Sequence, residues 1–192
     1  MIMIDLLKVY PRLKQVLEDD MVLETAENGT IKLAPEDSPV MLDFAEGLKI
    51  AYAIDEDSYF SLVLNRDMAD VDIKDLHEAA LENMYNEIRE QLSYQGDPAE
   101  VIMITNGGNY EATMMLMDGG FWEQIEDIMG GDYYVAVPAR DILLIAPKSN
   151  PGSIGRLTEL INNFFDNPEA SGLLVRNIYQ RENNSWVFVQ AV

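Results

Sequence analysis

The sequence predicts an α+β fold, in which a mostly antiparallel sheet built from hairpins carries three to four helices packed on it. Two observations support this class. Short β-prone runs come in pairs joined by tight turns, and consecutive strands joined in this way pair antiparallel. Longer segments carry apolar residues three and four positions apart, which is the period of an amphipathic helix.

The N-terminal part predicts a helix followed by a hairpin. Pro11 suits the first turn of a helix, so we expect a short helix over residues 11–18. Strands over residues 21–24 and 30–33 flank Asn28-Gly29, a dipeptide that tolerates the positive φ angles of a tight hairpin. Residues 34–39 contain two prolines and are predicted as a loop.

A second hairpin and a long helix follow. Apolar residues alternate over residues 48–54, and residues 59–65 are again strand-like, which predicts two antiparallel strands. Asp72 then begins a helix that we expect to end near Gly96-Asp97-Pro98. Its apolar residues lie three or four positions apart: Ile73, Leu76, Ala80, Met84, Ile88 and Leu92.

The C-terminal half predicts three more strand pairs and two helices. The pairs cover residues 101–105 with 110–117, 133–137 with 142–146, and 173–179 with 186–189. One helix is capped by Asp118 and ended by Gly130-Gly131, and the other starts at Pro151. A strand pair followed by a helix therefore occurs three times, which indicates repeated strand-strand-helix modules, although their sequence identity is too low to establish a repeat.

The length of 192 residues predicts one α+β domain over residues 1–192, with residues 1–40 as an N-terminal helix-hairpin appendage. No segment approaches the roughly 20 uncharged apolar residues of a membrane helix. The first ten residues already carry Asp5 and Lys8, unlike a secretory signal. We therefore expect a soluble, cytoplasmic protein that does not contact membranes.

Acidic residues dominate the charge, with a formal net charge of −21 at pH 7. The tail from Lys148 onward is balanced, and no Lys or Arg lies between Arg89 and Arg140. Because nucleic-acid affinity comes mainly from basic residues, this distribution argues against DNA or RNA binding. Residues 152–155 have the Gly-x-x-Gly spacing of one RNA-binding module, but a helix N-terminus explains them equally well. The charge favours solubility or an acidic face for a basic protein partner.

Reactive side chains are scarce, since the chain has no cysteine and one histidine, His77. Disulfides, thiolate nucleophiles and cysteine-containing zinc sites are thereby excluded. A histidine-based acid–base arrangement would need His77 as its member. His77 lies at the edge of the apolar stripe of its helix, where a structural role is expected and a binding role is the alternative.

Three segments resemble the bacterial YtpQ-like family of uncharacterised proteins, which carry a domain of unknown function. They are residues 75–83, which begin Asp75-Leu76-His77, residues 110–122, which begin Tyr110-Glu111, and residues 135–145, which contain Pro138-Ala139-Arg140-Asp141. The resemblance spans roughly residues 45 to 165. It implies a soluble intracellular bacterial protein, and it carries over no catalytic residue, activity or cofactor.

Carboxylates are the candidate metal ligands, because Mg²⁺ and Ca²⁺ prefer oxygen donors. Asp55 and Asp57 lie in a predicted hairpin turn, and Asp70 and Asp72 lie at a predicted helix start. Neither group matches a calcium-binding loop, and turns and helix N-termini favour carboxylates for structural reasons. These residues support only an alternative function, a carboxylate-dependent hydrolase that uses Mg²⁺.

Arg140 and Asp141 are the remaining binding candidates. Arg140 is the first basic residue after a long acidic stretch, and its neighbour Asp141 points to the other side if the strand continues. We expect Arg140 to organise its hairpin through a partly buried ion pair, and ligand binding is the alternative. The leading interpretation of the chain is a non-enzymatic acidic module, regulatory or protein-binding, without a cofactor, that takes a basic protein partner and is able to form a homo-oligomer.

Overall fold

The computed structural model describes residues 4–16, 22–24, 30–56, 59–88, 93–107 and 110–192. Helices and antiparallel sheets confirm the α+β class. The chain forms two compact units, of which unit 1 comprises Met1–Phe44 and Lys49–Glu87 and unit 2 comprises Ala45–Leu48 and Ile88–Val192. A single domain over residues 1–192 stays a prediction, since two compact units can belong to one domain.

Among the described residues of the first half of the chain, the structure has six strands and one long helix. They are β1 (Val9–Gln15), β2 (Val22–Glu24), β3 (Thr30–Lys32), β4 (Met41–Ala45), β5 (Leu48–Asp55), β6 (Phe60–Leu62) and α1 (Ile73–Ile88). One sheet has the order β1-β5-β4, with β6 pairing β5 antiparallel as the second predicted hairpin requires. β2 and β3 pair with each other, which confirms the strands of the first hairpin, whereas its Asn28-Gly29 turn lies outside the described residues.

α1 buries the stripe that its spacing predicts. Leu76, Ala80 and Met84 are fully buried in unit 1, whose core also contains Ile50 and Tyr52 of β5. A polar contact fixes the helix to the chain before β1. The side-chain amide of Asn83 donates hydrogen bonds to the carbonyl oxygens of Leu6 and Val9, at 2.8 and 2.9 Å.

Unit 2 is built on a six-stranded sheet. Its strands are β7 (Ser93–Asp97), β8 (Val101–Thr105), β9 (Tyr133–Ala136), β10 (Leu143–Pro147), β11 (Asn177–Glu182) and β12 (Ser185–Ala191). The order β12-β11-β9-β10-β8-β7 places β9 and β10 at the centre. Both are mostly apolar, as expected of central strands covered on both faces.

Two helices cover opposite faces of this sheet. α3 (Ser153–Asp166) buries Leu157 and Ile161 against Ala136 and Leu144 on one face. On the other face, Trp122 of α2 (Gly119–Met129) stacks on Tyr133, whose side chain alternates with that of Ala136 along β9. In the described part of the chain, no helix has the length and apolar character needed to span a bilayer.

The predicted helix over residues 11–18 is wrong, because β1 occupies Val9–Gln15. Val9, Pro11 and Leu13 are buried and alternate with less buried residues, which is the period of a strand. β1 lies at the edge of its sheet, where the missing N–H of Pro11 is tolerated.

The predicted strand over residues 110–117 is also wrong. Ala112–Leu116 form a 3₁₀ helix with four consecutive buried residues, so the alternation of a strand is absent. The hairpin partner of β8 is β7, which pairs with it over Ser93–Asp97. β7 is exposed along its whole length and has no apolar alternation to predict it. β4 was likewise not predicted, and β11 begins at Asn177 rather than residue 173.

Candidate functional site

Unit 2 contains a polar cavity of about 270 Å³ between α2, the start of β9, the end of β10 and the β11–β12 turn. The side chains that give it charge and hydrogen-bonding capacity are Glu123, Glu126, Asp132, Tyr133, Lys148 and Arg181. The turn residues Asn183 and Asn184 complete one wall, and both have positive φ, which asparagine tolerates better than most residues. The cavity thus combines three carboxylates with two cations.

α2 presents its carboxylates to solvent because its other face is anchored in the core. Asp118 caps the helix by accepting a hydrogen bond from the Phe121 amide at 3.2 Å, as predicted, and Gly130 ends it in the left-handed conformation. Trp122 and Ile125 are buried, so Glu123 and Glu126 are exposed, one turn apart on the helix. Among the described residues neither carboxylate makes an ion pair.

Lys148 is held by Asp132 at one side of the cavity. The Lys148 ammonium lies 3.7 Å from an Asp132 carboxylate oxygen, and the Lys148 amide donates to the Asp132 carbonyl at 2.8 Å. The Lys148 side chain is only 23% exposed and its ammonium lies 5.5 Å from the Tyr134 ring centroid. Asp132 therefore pairs with Lys148 at the protein surface.

Arg181 lies beside aromatic side chains at the opposite side. Its guanidinium lies 5.9 Å from the Trp122 ring centroid, and its charge acts on the Tyr133 hydroxyl. Burial raises the pKa of Tyr133 to about 12, and the nearby Arg181 charge partly offsets this increase. Tyr133 therefore stays protonated at neutral pH. Since a guanidinium has five N–H donors, Arg181 keeps donors that are free to bind a ligand.

Tyr133, which lines the cavity, belongs to a cluster of aromatic side chains. The rings of Trp122 and Tyr133 stack with centroids 5.7 Å apart, and Trp186 meets Trp122 edge-on at 4.8 Å. The Trp186 indole N–H donates to the Met115 carbonyl at 2.9 Å, whereas the buried Trp122 indole N–H has no partner in the described structure. Such aromatic clusters fix the positions of the polar groups attached to them.

His77 lies in unit 1, where its Nδ1 shares a hydrogen bond of 2.8 Å with the Tyr52 hydroxyl. The rings of the two residues also meet edge-on. Burial lowers the pKa of His77, an effect that neighbouring Glu78 partly opposes, so the imidazole is neutral at pH 7. This environment fits the structural role expected of His77, because its half-buried ring contacts a phenol rather than an activated hydroxyl.

Arg140 and Asp141 lie on the turn between β9 and β10 and are exposed. In the described structure Arg140 makes no ion pair, so the expected partly buried pair is not formed there. It organises the turn through its backbone instead. The Arg140 amide donates to the Gly172 carbonyl at 2.9 Å, and its carbonyl accepts from Ala112 at 3.2 Å. Burial of a guanidinium costs the free energy of its hydration, which explains why the Arg140 side chain is exposed rather than in the expected buried ion pair.

The candidate metal ligands do not assemble within the described residues. No group of three His, Cys, Asp or Glu residues that could hold a metal occurs there. Asp70 and Asp72 are exposed, and Asp72 accepts a hydrogen bond from the Lys74 amide at 2.8 Å, a helix-start contact. Asp55 lies at the end of β5, and Asp57 lies outside the described residues.

The charged residues of the cavity were not predicted as site residues. Glu123 and Glu126 carry a signal in the sequence, because they share the polar face of a predicted helix. Lys148 and Arg181 carry none, since they come from separate strands and only the sheet brings them together. No family model, curated protein or solved structure matches the chain, and the resemblance to the YtpQ-like family stays a prediction from its motifs.

Proposed function

We propose that this protein is a non-enzymatic binding module that takes a basic protein partner on the solvent face of α2. The acidic α2 face consists of Glu123, Glu126 and Asp127, all exposed. No lysine or arginine occurs in the sequence between Arg89 and Arg140, and the two cations that line the cavity beside this face, Lys148 and Arg181, come from other elements. A surface of one sign attracts and orients a partner of the opposite sign.

The position of these carboxylates on α2 is the observation that carries the proposal. Glu126 and Asp127 lie in the last turn, which has no basic residue, and there the helix dipole disfavours negative charge. Each such carboxylate costs roughly 0.3–1 kcal/mol at an exposed helix end. Residues that break a local stability rule are typical of functional surfaces. A basic partner would relieve both the dipole conflict and the mutual repulsion.

The non-enzymatic part of the proposal rests on the environment of the groups that could react. The chain has no cysteine, and its one histidine is bound to Tyr52. Burial raises the pKa of the Tyr133 hydroxyl, which keeps it from acting as a base near neutral pH. These contacts hold the polar side chains in place and leave the exposed carboxylates available for binding.

The experiment compares protein capture by three immobilised proteins from a lysate of the source cells, at low and high salt. The test variant is Glu123→Gln with Glu126→Gln and Asp127→Asn. The matched control neutralises three exposed carboxylates of α1 instead, as Asp75→Asn with Glu78→Gln and Glu82→Gln. Both variants change the net charge equally, so a difference between them reports position rather than total charge.

We expect a partner that the unaltered protein and the α1 control retain at low salt, and that the α2 variant loses. High salt should release it, since exposed charge pairs are screened over about 10 Å at 0.1 M salt. The purified partner should then bind the α2 variant at least about tenfold more weakly, a loss of about 1.4 kcal/mol. Equal binding by the α2 variant and the unaltered protein, or no retained partner at either salt, would contradict the proposal.

A further inference from the structure

Some charged side chains that line the cavity of unit 2 pair with each other, and the others are available to a ligand. Lys148 and Asp132 form a pair with each other. Of the remaining charged groups, Arg181 supplies one cation, and Glu123 and Glu126 supply two carboxylates without an ion pair in the described structure. The complementary ligand therefore carries one anionic group and two cationic groups.

The cavity groups that remain for a ligand come from two separate elements. Glu123 and Glu126 stand one helical turn apart on α2, whereas Arg181 belongs to β11 and lies 5.9 Å from the Trp122 ring centroid. The guanidinium presents N–H donors suited to a carboxylate, with which it forms two parallel hydrogen bonds. Two separated carboxylates on the facing helix suit two separated cations.

We propose that this cavity binds a free basic α-amino acid, of which L-arginine is the representative. The ligand carboxylate binds the Arg181 guanidinium, and the α-ammonium and the side-chain cation bind Glu123 and Glu126. The volume of about 270 Å³ is near the lower end of small-molecule pockets, which suits a ligand of amino-acid size. Phosphate-rich ligands are disfavoured because the charged lining has one more carboxylate than cations.

This site goes beyond the proposed protein-binding function and does not depend on it, although both use Glu123 and Glu126. A bound amino acid would neutralise two of the three carboxylates of the acidic α2 face. It would therefore compete with a basic protein partner, which makes the cavity a point at which a small molecule regulates that binding.

Isothermal titration of the full chain tests the site with four ligands. L-arginine contains all three charges. Agmatine lacks the carboxylate, N-acetyl-L-arginine lacks the α-ammonium, and L-citrulline lacks the side-chain charge. We expect saturable one-to-one binding of L-arginine and at least about tenfold weaker binding of each of the other three, because each leaves one charged group of the site unpaired.

Two single variants on the same helix locate the binding. Glu126→Gln should weaken L-arginine binding at least about tenfold. Asp127→Asn is the matched control, since it removes the same charge from an exposed neighbour that does not line the cavity, and it should change the affinity less than about twofold. Circular dichroism verifies that both variants are folded.

The results separate the alternatives. Absence of L-arginine binding overturns the proposal. Equal binding of agmatine shows that Arg181 does not bind a carboxylate. Equal binding of N-acetyl-L-arginine shows that the site takes the C-terminal residue of a peptide. Either result overturns the proposal for a free amino acid. An equal loss in Glu126→Gln and Asp127→Asn indicates general attraction of cations and overturns it also. Capture of the protein partner is measured separately, so the two proposals fail independently.

Discussion

The hydroxyl of Tyr52 lies 2.8 Å from Nδ1 of His77, and this contact joins the middle of β5 to the first half of α1. Tyr52 is fully buried and His77 is half-buried. Burial raises the pKa of Tyr52 to about 12 and lowers the pKa of His77, so both groups are neutral at pH 7. The one imidazole of the chain thus couples the stability of unit 1 to pH.

The stability of the protein should fall as pH decreases through the titration range of His77. The unfolded chain has a histidine pKa of about 6.5, and the folded value is lower. Between the two values the unfolded chain binds more protons, so the free energy of unfolding rises with pH there. The stability that neutral His77 contributes is fully present above the pKa of the unfolded chain, and it is lost as pH falls toward the pKa of the folded protein. Urea denaturation of the wild type and His77→Gln from pH 7.5 to 5 measures it.

The control for this prediction is Tyr52→Phe, which removes the hydrogen bond but keeps the titrating imidazole. We expect its stability still to depend on pH in this range, whereas His77→Gln should show a weaker dependence than the wild type. Identical pH dependence in the wild type and His77→Gln would show that His77 titrates with the same pKa in both states, contrary to the structure.

Replacement of Glu111 should destabilise the loop that precedes α2. The Glu111 carboxylate is 2% exposed and accepts hydrogen bonds from the amides of Asn106 and Tyr110, at 2.7 and 3.1 Å. In Glu111→Gln one acceptor becomes an NH₂ group that cannot accept from a backbone amide, at a cost of about 1–3 kcal/mol. Urea denaturation should show this loss, whereas Glu169→Gln, at an exposed position, should lie within about 0.5 kcal/mol of the wild type. Equal stability of the two variants would refute the prediction.

Gly96→Ala should destabilise the protein more than Gly130→Ala. Both glycines have positive φ, of 110° and 71°. A Cβ atom at Gly130 meets no other atom within 4 Å, so we expect only the backbone strain of about 1–2 kcal/mol. A Cβ atom at Gly96 lies 2.3 Å from the Val101 carbonyl oxygen of the paired strand, which cannot move without opening the β7–β8 hairpin. Equal losses in thermal and urea unfolding would count against this account.

Arg140→Ala should cost less than about 1 kcal/mol, because the side chain is exposed and makes no ion pair in the described structure. The backbone hydrogen bonds with Gly172 and Ala112 remain in the variant. A buried ion pair would have made the same substitution cost about 3–5 kcal/mol. Urea denaturation distinguishes the two ranges, and a loss in the higher one would restore the ion pair predicted from the sequence.

Divalent metal should not stabilise the protein beyond its effect on ionic strength. The alternative hydrolase requires Mg²⁺ at carboxylates such as Asp70 and Asp72, which are exposed and part of no metal-binding group among the described residues. A bound ion raises the midpoint of thermal unfolding with the logarithm of its concentration above the dissociation constant. We expect MgCl₂ and NaCl of equal ionic strength to give equal midpoints. A specific increase with MgCl₂ that Asp70→Asn with Asp72→Asn abolishes would favour the hydrolase.

Local patterns in the sequence predicted the elements whose signals are themselves local. The helix stripe with Leu76 and Met84, the Asp118 cap and the central strands β9 and β10 all lie where apolar spacing and capping residues placed them. Each of these signals involves residues a few positions apart, and such residues meet in almost any folded context.

The predictions were wrong where pairing between strands decides the structure. Pro11 is a good first residue of a helix, but Val9 and Leu13 are buried on one face of a strand that pairs with β5. The hairpin partner of β8 is the exposed β7, and the residues expected to form that partner strand form a 3₁₀ helix instead. A short stretch of sequence predicts neither the strand β1 nor the pairing of β8 with β7, because tertiary burial overrides weak local preference.

The sequence by itself determined the α+β class, the acidic excess, the polar face of α2 and the absence of thiol chemistry, because composition and short-range periodicity encode all four. Only the tertiary structure decided that His77 binds Tyr52, that Arg140 stays exposed, and that Lys148 and Arg181 join Glu123 and Glu126 around one cavity. These side chains belong to elements that are separated in the sequence. Their charges interact only because strand order and helix packing place them around the same cavity.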